Sequence, residues 1–246
     1  MNELSNCFDR IYTNGLWGQP LCSGPGSWHQ PLVDAYIDTV VNFLNSESLS
    51  GRCKAIDLGC GDFNIGSRIL TNCRSVEAID VSQQIIDHCR RSYFDDKVTF
   101  TCADARTFIP EICDLIFVRQ VFQHLPNKDI QQILSNISGT SRYVMITEHI
   151  PSGNFQANLD IESGTPHTRL TQGSGVDITK KPFIHKLELY KETLNYFGFG
   201  EIFELAYTKE IFPKLRLLGV SHIPLVRTKS HKCVGYSSKV YSLAEH

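Results

Sequence analysis

Nothing in these 246 residues approaches the roughly 20 consecutive apolar residues of a membrane-spanning helix, so no membrane partner is expected. The first residues, Met1-Asn2-Glu3-Leu4-Ser5-Asn6, lack both a basic start and an apolar stretch, and no signal peptide is visible. An excess of basic charge is also missing. Lys and Arg total 24 against 26 Asp and Glu, for a net charge of −2 and a pI near 6.5. Without a general basic field, long nucleic acid is not indicated as a partner. Cysteine is plentiful, at nine residues, but no Cys-x-x-Cys pair occurs and no spacing supports a metal site. Scattered thiols of this kind serve as small apolar residues and suit a reducing cytoplasm. No repeat or low-complexity tract is visible. What remains is an ordinary globular composition, 41% hydrophobic and 20% charged, long enough for one elaborated α/β domain.

The most telling run is Asp57-Leu58-Gly59-Cys60-Gly61-Asp62-Phe63-Asn64-Ile65-Gly66. It comes after a short apolar stretch that reads as a buried strand and leads into a helix-like pattern at Ile65, Ile69 and Leu70. Gly59 and Gly61 lack Cβ, which permits a tight turn and a close approach by a ligand. Alone this is a weak signal, because a helix packed tightly on a strand needs similar glycines. Two later acids make it specific. Asp80, with Val81, ends the next strand-like run about 20 residues on, where a carboxylate can accept both hydroxyls of a ribose. Asp104, next to Ala105, ends a third such run. In an open α/β sheet these strand ends face one crevice. Asp80 and Asp104 could also merely cap the helices after them, as could Ser82.

With these motifs the chain resembles the class I S-adenosylmethionine-dependent methyltransferases. Asp57-x-Gly59-x-Gly61 is similar to their first motif, Asp80 to their ribose-binding acid, and Ala103-Asp104-Ala105 to their adenine-side motif. The segment 114–125 is similar to their fourth strand and the stretch just after that strand. The resemblance is strong over about 53–147. One departure is Phe63, where many members carry a third glycine; Gly66 comes three residues later. A nicotinamide dehydrogenase shares the architecture, but its Gly-x-Gly-x-x-Gly spacing fails, since position 64 is Asn64. The resemblance implies S-adenosyl-L-methionine as cofactor, with Asp57 near its cationic methionine end.

Periodicity predicts a helix from Pro31 to about Asn45, then strand 53–58, helix 64–72, strand 75–80, helix 82–93 and strand 97–102. Next come a short helix near 106–109, strand 113–118, helix 127–138, strand 142–147 and helix 186–197, with strand-like segments near 200–207 and 232–242. Alternating strands and helices imply a parallel sheet with helices on both faces. The expected fold is therefore Rossmann-like, with a seven-stranded, mostly parallel sheet whose last two strands form an antiparallel edge hairpin as in the resembling family. Residues 31–246 form the domain, with an aperiodic insertion at 150–182 that reads as a substrate loop. Asp177 or Thr179 is expected to cap the helix after it.

Residues 1–30 read as a cofactor lid. Both tryptophans fall there, in Tyr12-Thr13-Asn14-Gly15-Leu16-Trp17-Gly18 and Ser23-Gly24-Pro25-Gly26-Ser27-Trp28. Tyr12 and Trp17 are candidates to cover the cofactor, and Ser23, Gly24 and Ser27 to offer donors to its carboxylate; a loose arm is the plainer account. Arg119 and Gln120, just past the fourth strand, stand over the expected transfer point. Arg119 either meets an anionic part of the cofactor or substrate or pairs with a carboxylate. His149 is the candidate general base, with Glu148 to orient it; His124 is a second candidate. Each of these also has a structural reading, as an exposed rim pair or a packed histidine. Asp160, His167 and Arg169 in the insertion are weaker candidates. Methyl transfer from a sulfonium depends more on alignment than on a strong base. The expected activity is methyl transfer to an O or N atom of a small polar molecule, such as a sugar or biosynthetic intermediate. Methylation of protein or RNA, and a cofactor-binding scaffold without turnover, are the alternatives.

Overall fold

Lys54–Leu58 (β1) is buried on both faces beyond Lys54, the pattern of a strand at the centre of a parallel sheet, with Asp57 its one buried acid. The computed structural model describes residues 3–151, 154–162, 168–184, 187–199, 205–206 and 233–243. In it β1 pairs in parallel with β2 (Ser75–Asp80) on one side and β4 (Cys113–Arg119) on the other. β3 (Val98–Cys102) pairs in parallel with β2, and β5 (Ser141–Pro151) with β4. The resulting order, β3-β2-β1-β4-β5, reverses direction between β1 and β4. Such a reversal opens a crevice at the carboxyl ends of the strands.

Crossover helices α4 (Asn64–Leu70), α5 (Gln83–Ser92) and α6 (Asn127–Ile137) separate the parallel strands, and α3 (Gln30–Ser46) precedes them. Their apolar stripes (Leu32, Tyr36, Val40 and Phe43 on α3; Ile130, Ile133, Leu134 and Ile137 on α6) are buried against the strands. Two shorter helices lie ahead of α3: α1 (Glu3–Thr13) and the single turn α2 (Pro25–Trp28). Among the described residues no helix is long and apolar enough to cross a membrane. The segment expected as a short helix near 106–109 is a turn in which Thr107 and Phe108 donate backbone N–H groups to Asp104 O.

Past β5 the chain departs further from expectation. Residues Leu187–Phe199 (β6), predicted as a helix, form a strand, and β7 (Leu205–Ala206) and β8 (Cys233–Leu243) come after it. β8 pairs antiparallel with β5, β6 with β8, and β7 with β6. Among the described residues the sheet thus has eight strands rather than the seven expected, and β6 lies between the two strands expected to form the edge hairpin. Leu, Glu and Lys make 187–194 read as helical, but backbone pairing along a long neighbouring strand outweighs propensities worth tenths of a kcal/mol per residue. With no helix after it, Asp177 instead closes a turn, accepting from Thr179 N (3.1 Å) and Oγ1 (2.6 Å).

The insertion is organised by Asn158. Its Nδ2 donates to Asp177 O (2.8 Å) and Lys181 O (3.0 Å), while Oδ1 accepts from Asp177 N (2.8 Å). One amide side chain thereby replaces the backbone ladder that this aperiodic stretch lacks.

Candidate active site

The turn after β1 places Gly59 at φ 82° and Gly61 at φ 55°, conformations that disfavour a side chain. Space gives a second reason. A Cβ on Gly59 would lie 2.3 Å from Val121 Cγ2, and one on Gly61 would lie 2.1 Å from Ser23 Oγ. The glycines therefore admit other parts of the protein to the turn. Phe63 adopts the left-handed region at φ 59°, and its buried ring packs edge-on against Phe100 and Tyr93. Gly66 leaves room for that ring, since a Cβ there would come within 2.1 Å of it.

Asp80 reaches back to this turn. Its Oδ2 accepts from Gly61 N (3.1 Å) and its Oδ1 from Ser82 N (2.9 Å). Burial raises its pKa to about 6, against the lowering effect of those amides. Asp57 is also buried, and burial raises it to about 7, offset by Arg119 and reinforced by Asp80. Both acids line one cavity with Gly59, Gly61, Val81 and Asp104. Ala103, Ala105, Leu125 and Ile133 form its apolar wall.

The N-terminal segment covers this cavity and is fastened to it. Asp62 is the main fastening, although its place in the glycine run gives no hint of that role. Its Oδ2 accepts from Ser23 N (2.8 Å) and from Trp28 Nε1 (2.7 Å), and its own N–H donates to Ser23 Oγ (2.7 Å). Asn64 Nδ2 donates to Ser27 O (2.6 Å). Asp9, on α1, accepts from Ser82 Oγ (2.5 Å) and Gln84 N (3.3 Å) at the start of α5. Tyr12, Trp17, Gly24 and Ser27 all line the cavity. Replacing Asp62 with alanine should speed protease cleavage within 14–28 while the domain core keeps its thermal transition, since two bonds to a charged acceptor are lost. Unchanged cleavage would mean that apolar packing alone holds the segment.

Arg119 donates to Gly26 O (2.5 Å) and Ser27 Oγ (3.2 Å), and its guanidinium lies 4.9 Å from the centroid of the Tyr36 ring. Gln120, at φ 57°, stands beside it in the cavity wall, where a Cβ on Gly26 would meet its Oε1. His124 belongs to the 3-10 turn Phe122–His124. Its ring is 5.1 Å from that of Trp17 and 6.3 Å from that of Phe8. His149 lines the cavity within β5, and its pKa falls well below the ordinary value through burial, then through the charges of Arg119 and His124.

Glu148 is placed otherwise than expected. Consecutive strand residues point to opposite faces, and with His149 in the cavity wall Glu148 is not among the lining residues. It is 2% exposed and accepts from Phe122 N (2.7 Å) and Gln123 N (3.2 Å). Burial raises its pKa to about 8. It braces the turn that carries His124 and does not orient His149. Of the insertion candidates, His167 lies outside the described residues. Asp160 accepts from Asn127 N (2.7 Å). Arg169 is fully buried and donates to Leu125 O through both terminal nitrogens (3.1 and 2.7 Å) and to Asn127 Oδ1 (2.8 Å). Among the described residues no group of three His, Cys, Asp or Glu side chains is placed to hold a metal ion.

Comparison with known proteins fits this geometry. Residues 55–142 match the family model of a methyltransferase domain. No curated protein sequence matches the chain. The N-methyltransferase NodS from Bradyrhizobium japonicum, in complex with S-adenosyl-L-homocysteine, superposes with a TM-score of 0.59 at 12% identity, over 99% of this chain and 100% of NodS. A SAM-dependent methyltransferase from Leishmania major gives 0.56 at 11% identity, over 98% and 82% of the two chains. The magnesium protoporphyrin IX methyltransferase from Synechocystis, with bound SAM, gives 0.53 at 12% identity, over 97% of each. At such identities these likenesses speak for the fold.

Proposed function

We propose that this chain, a class I S-adenosylmethionine-dependent methyltransferase by its domain match and its fold, methylates an O or N atom of a small polar molecule. The observation that carries the acceptor class is the fastened N-terminal segment. It roofs the crevice with Tyr12, Trp17, Gly24 and Ser27, which supports a small acceptor over a polymer. S-adenosyl-L-methionine, when bound, supplies a methyl group activated by its sulfonium. In this reading Asp80 accepts the ribose hydroxyls, Val81 and Ala105 flank the adenine with Asp104 at its edge, and Gly59 and Gly61 let the cofactor approach the backbone. Asp57 faces the cationic methionine end. Arg119 and Gln120 border the transfer point, and His149, with His124 nearby, takes the acceptor proton. Residues 1–30 act as lid and 150–182 as the substrate-side insertion. All eight cysteines whose side chains are described are free thiols, which supports a reducing, cytoplasmic setting.

The deciding experiment incubates the protein with methyl-labelled cofactor and fractionated cell extract. Label in a small-molecule fraction supports the reading, and label confined to protein or RNA overturns the acceptor class. Asp80→Ala should weaken cofactor binding by about 1.5–3 kcal/mol, the range for hydrogen bonds to a charged group. Calorimetry that finds unchanged affinity in a folded variant removes Asp80 from the ribose role. Binding should also depend on pH. Asp57 holds its proton up to about pH 7, and a cationic ligand favours the ionised carboxylate, so binding below that pH releases a proton. Affinity for S-adenosylmethionine should therefore rise between pH 6 and 8, by up to about ten-fold per unit below the pKa. Affinity that is flat across this window removes Asp57 from contact with the cationic end.

A further inference from the structure

The acid at the adenine end is already engaged. A carboxylate offers about four lone-pair positions to donors, and Arg106 directs four contacts at Asp104. Oδ1 accepts from Arg106 N (3.0 Å) and Nε (3.0 Å); Oδ2 accepts from Nε (3.1 Å) and Nη2 (2.6 Å). The two side chains are 25% and 12% exposed, so water screens this pair poorly. Both residues line the cavity. The guanidinium also has a second acid within reach, because Nη1 donates to Asp129 Oδ2 on α6 at 3.3 Å. The backbone of this turn is held independently, by Asn136 Nδ2 donating to Arg106 O (2.9 Å).

Resting on the methyltransferase reading above, we propose that Arg106 relaxes base specificity at the adenine end of the cavity, facing the base with its guanidinium and yielding Asp104 to an exocyclic amine only by moving onto Asp129. The amine of adenine is a donor and finds no complement in a guanidinium, which carries donors only. A purine with a carbonyl at that position presents an acceptor and does match it. Transfer to Asp129 keeps the cation paired throughout, which avoids the penalty of an uncompensated buried charge. Asp104 is then an adenine contact only after Arg106 has left it.

Two ligands that differ at this one position test the idea: S-adenosyl-L-homocysteine and S-inosyl-L-homocysteine, titrated calorimetrically into wild type, Arg106→Ala and Asp129→Asn. The wild type should bind the two within about three-fold of each other, because each satisfies one arrangement of the arginine. Arg106→Ala should bind the adenosyl ligand about ten-fold tighter and the inosyl ligand about ten-fold more weakly, the size of one hydrogen bond to a charged group. Asp129→Asn should weaken the adenosyl ligand alone, by about five-fold, because the cation loses its second charged partner. An unchanged ligand ratio in both variants, or weaker adenosyl binding in Arg106→Ala, overturns the proposal and leaves the cofactor reading standing. A wild type that binds neither ligand overturns both.

Discussion

Replacing His149 with alanine is expected to cut methyl transfer to the identified acceptor by about 10²–10⁴-fold, the usual contribution of a general base. Cofactor affinity should stay near that of the wild type, since the cofactor contacts assigned above come from other residues. The imidazole is set in the cavity wall beside Arg119 and near His124, and burial with these neighbours disfavours its protonated form. Its pKa therefore lies well below 6.5, and the ring stands neutral, able to accept a proton, across the neutral range. An ordinary histidine base would lose half its activity near pH 6.5, whereas here the acid limb belonging to His149 should appear only at distinctly lower pH. Initial rates of S-adenosylhomocysteine formation from about pH 5 to 8, with affinity measured in parallel, check both points. A variant that keeps most of its turnover would show that alignment of acceptor, methyl and sulfur suffices.

Arg169→Ala should destabilise the fold by about 3–5 kcal/mol, since a large, fully buried side chain is lost together with its hydrogen bonds. Arg169 lies under the wall that bears His124, filling the Leu125 carbonyl with two donors and tying Asn127 to the insertion. Glu148 holds the amides of Phe122 and Gln123 from the same region, and each charge acts on the other. Without the arginine, the Leu125 carbonyl loses two donors, and Glu148, its pKa already raised to about 8 by burial, holds its proton more firmly still. Urea unfolding gives the magnitude, and a loss under about 1 kcal/mol would mean that water substitutes for the guanidinium. A pH series adds a second readout. The pKa of Glu148 is raised in the folded protein, so its stabilising contribution is full below about pH 4.5 and declines as pH rises through about 8. Removing Arg169, which lowers that pKa, should shift the decline to higher pH.

The crevice is legible in the sequence because glycines and strand-end acids act where they stand. Asp57, Gly59, Gly61, Asp80 and Asp104 need only the strand register to converge, and the alternation of elements sets that register. Direction is harder to read. Glu148 and His149 look like one rim pair, although the period of a strand sends them to opposite faces. Long-range partners are harder still. Asp62 meets Ser23 across 39 positions and Arg169 meets Leu125 across 44, and no local pattern marks such a contact. A fully buried arginine also runs against what composition leads one to expect of a loop. The strand at 187–199 is hidden for the opposite reason: its local propensity is clear and points to a helix, while the pairing that decides it comes from the neighbouring strand.

The roof of the cavity has a kinetic consequence. Asp9, Asp62 and Asn64 fasten the N-terminal segment over the cavity, and under the lid reading proposed above ligand capture is expected to wait for the segment to lift. Association should then saturate at a common limiting rate for S-adenosylmethionine and its demethylated product, and the two would differ mainly in how long each stays bound. Under the lid reading the same fastenings are expected to delay departure of the spent cofactor and so to make product release limit turnover.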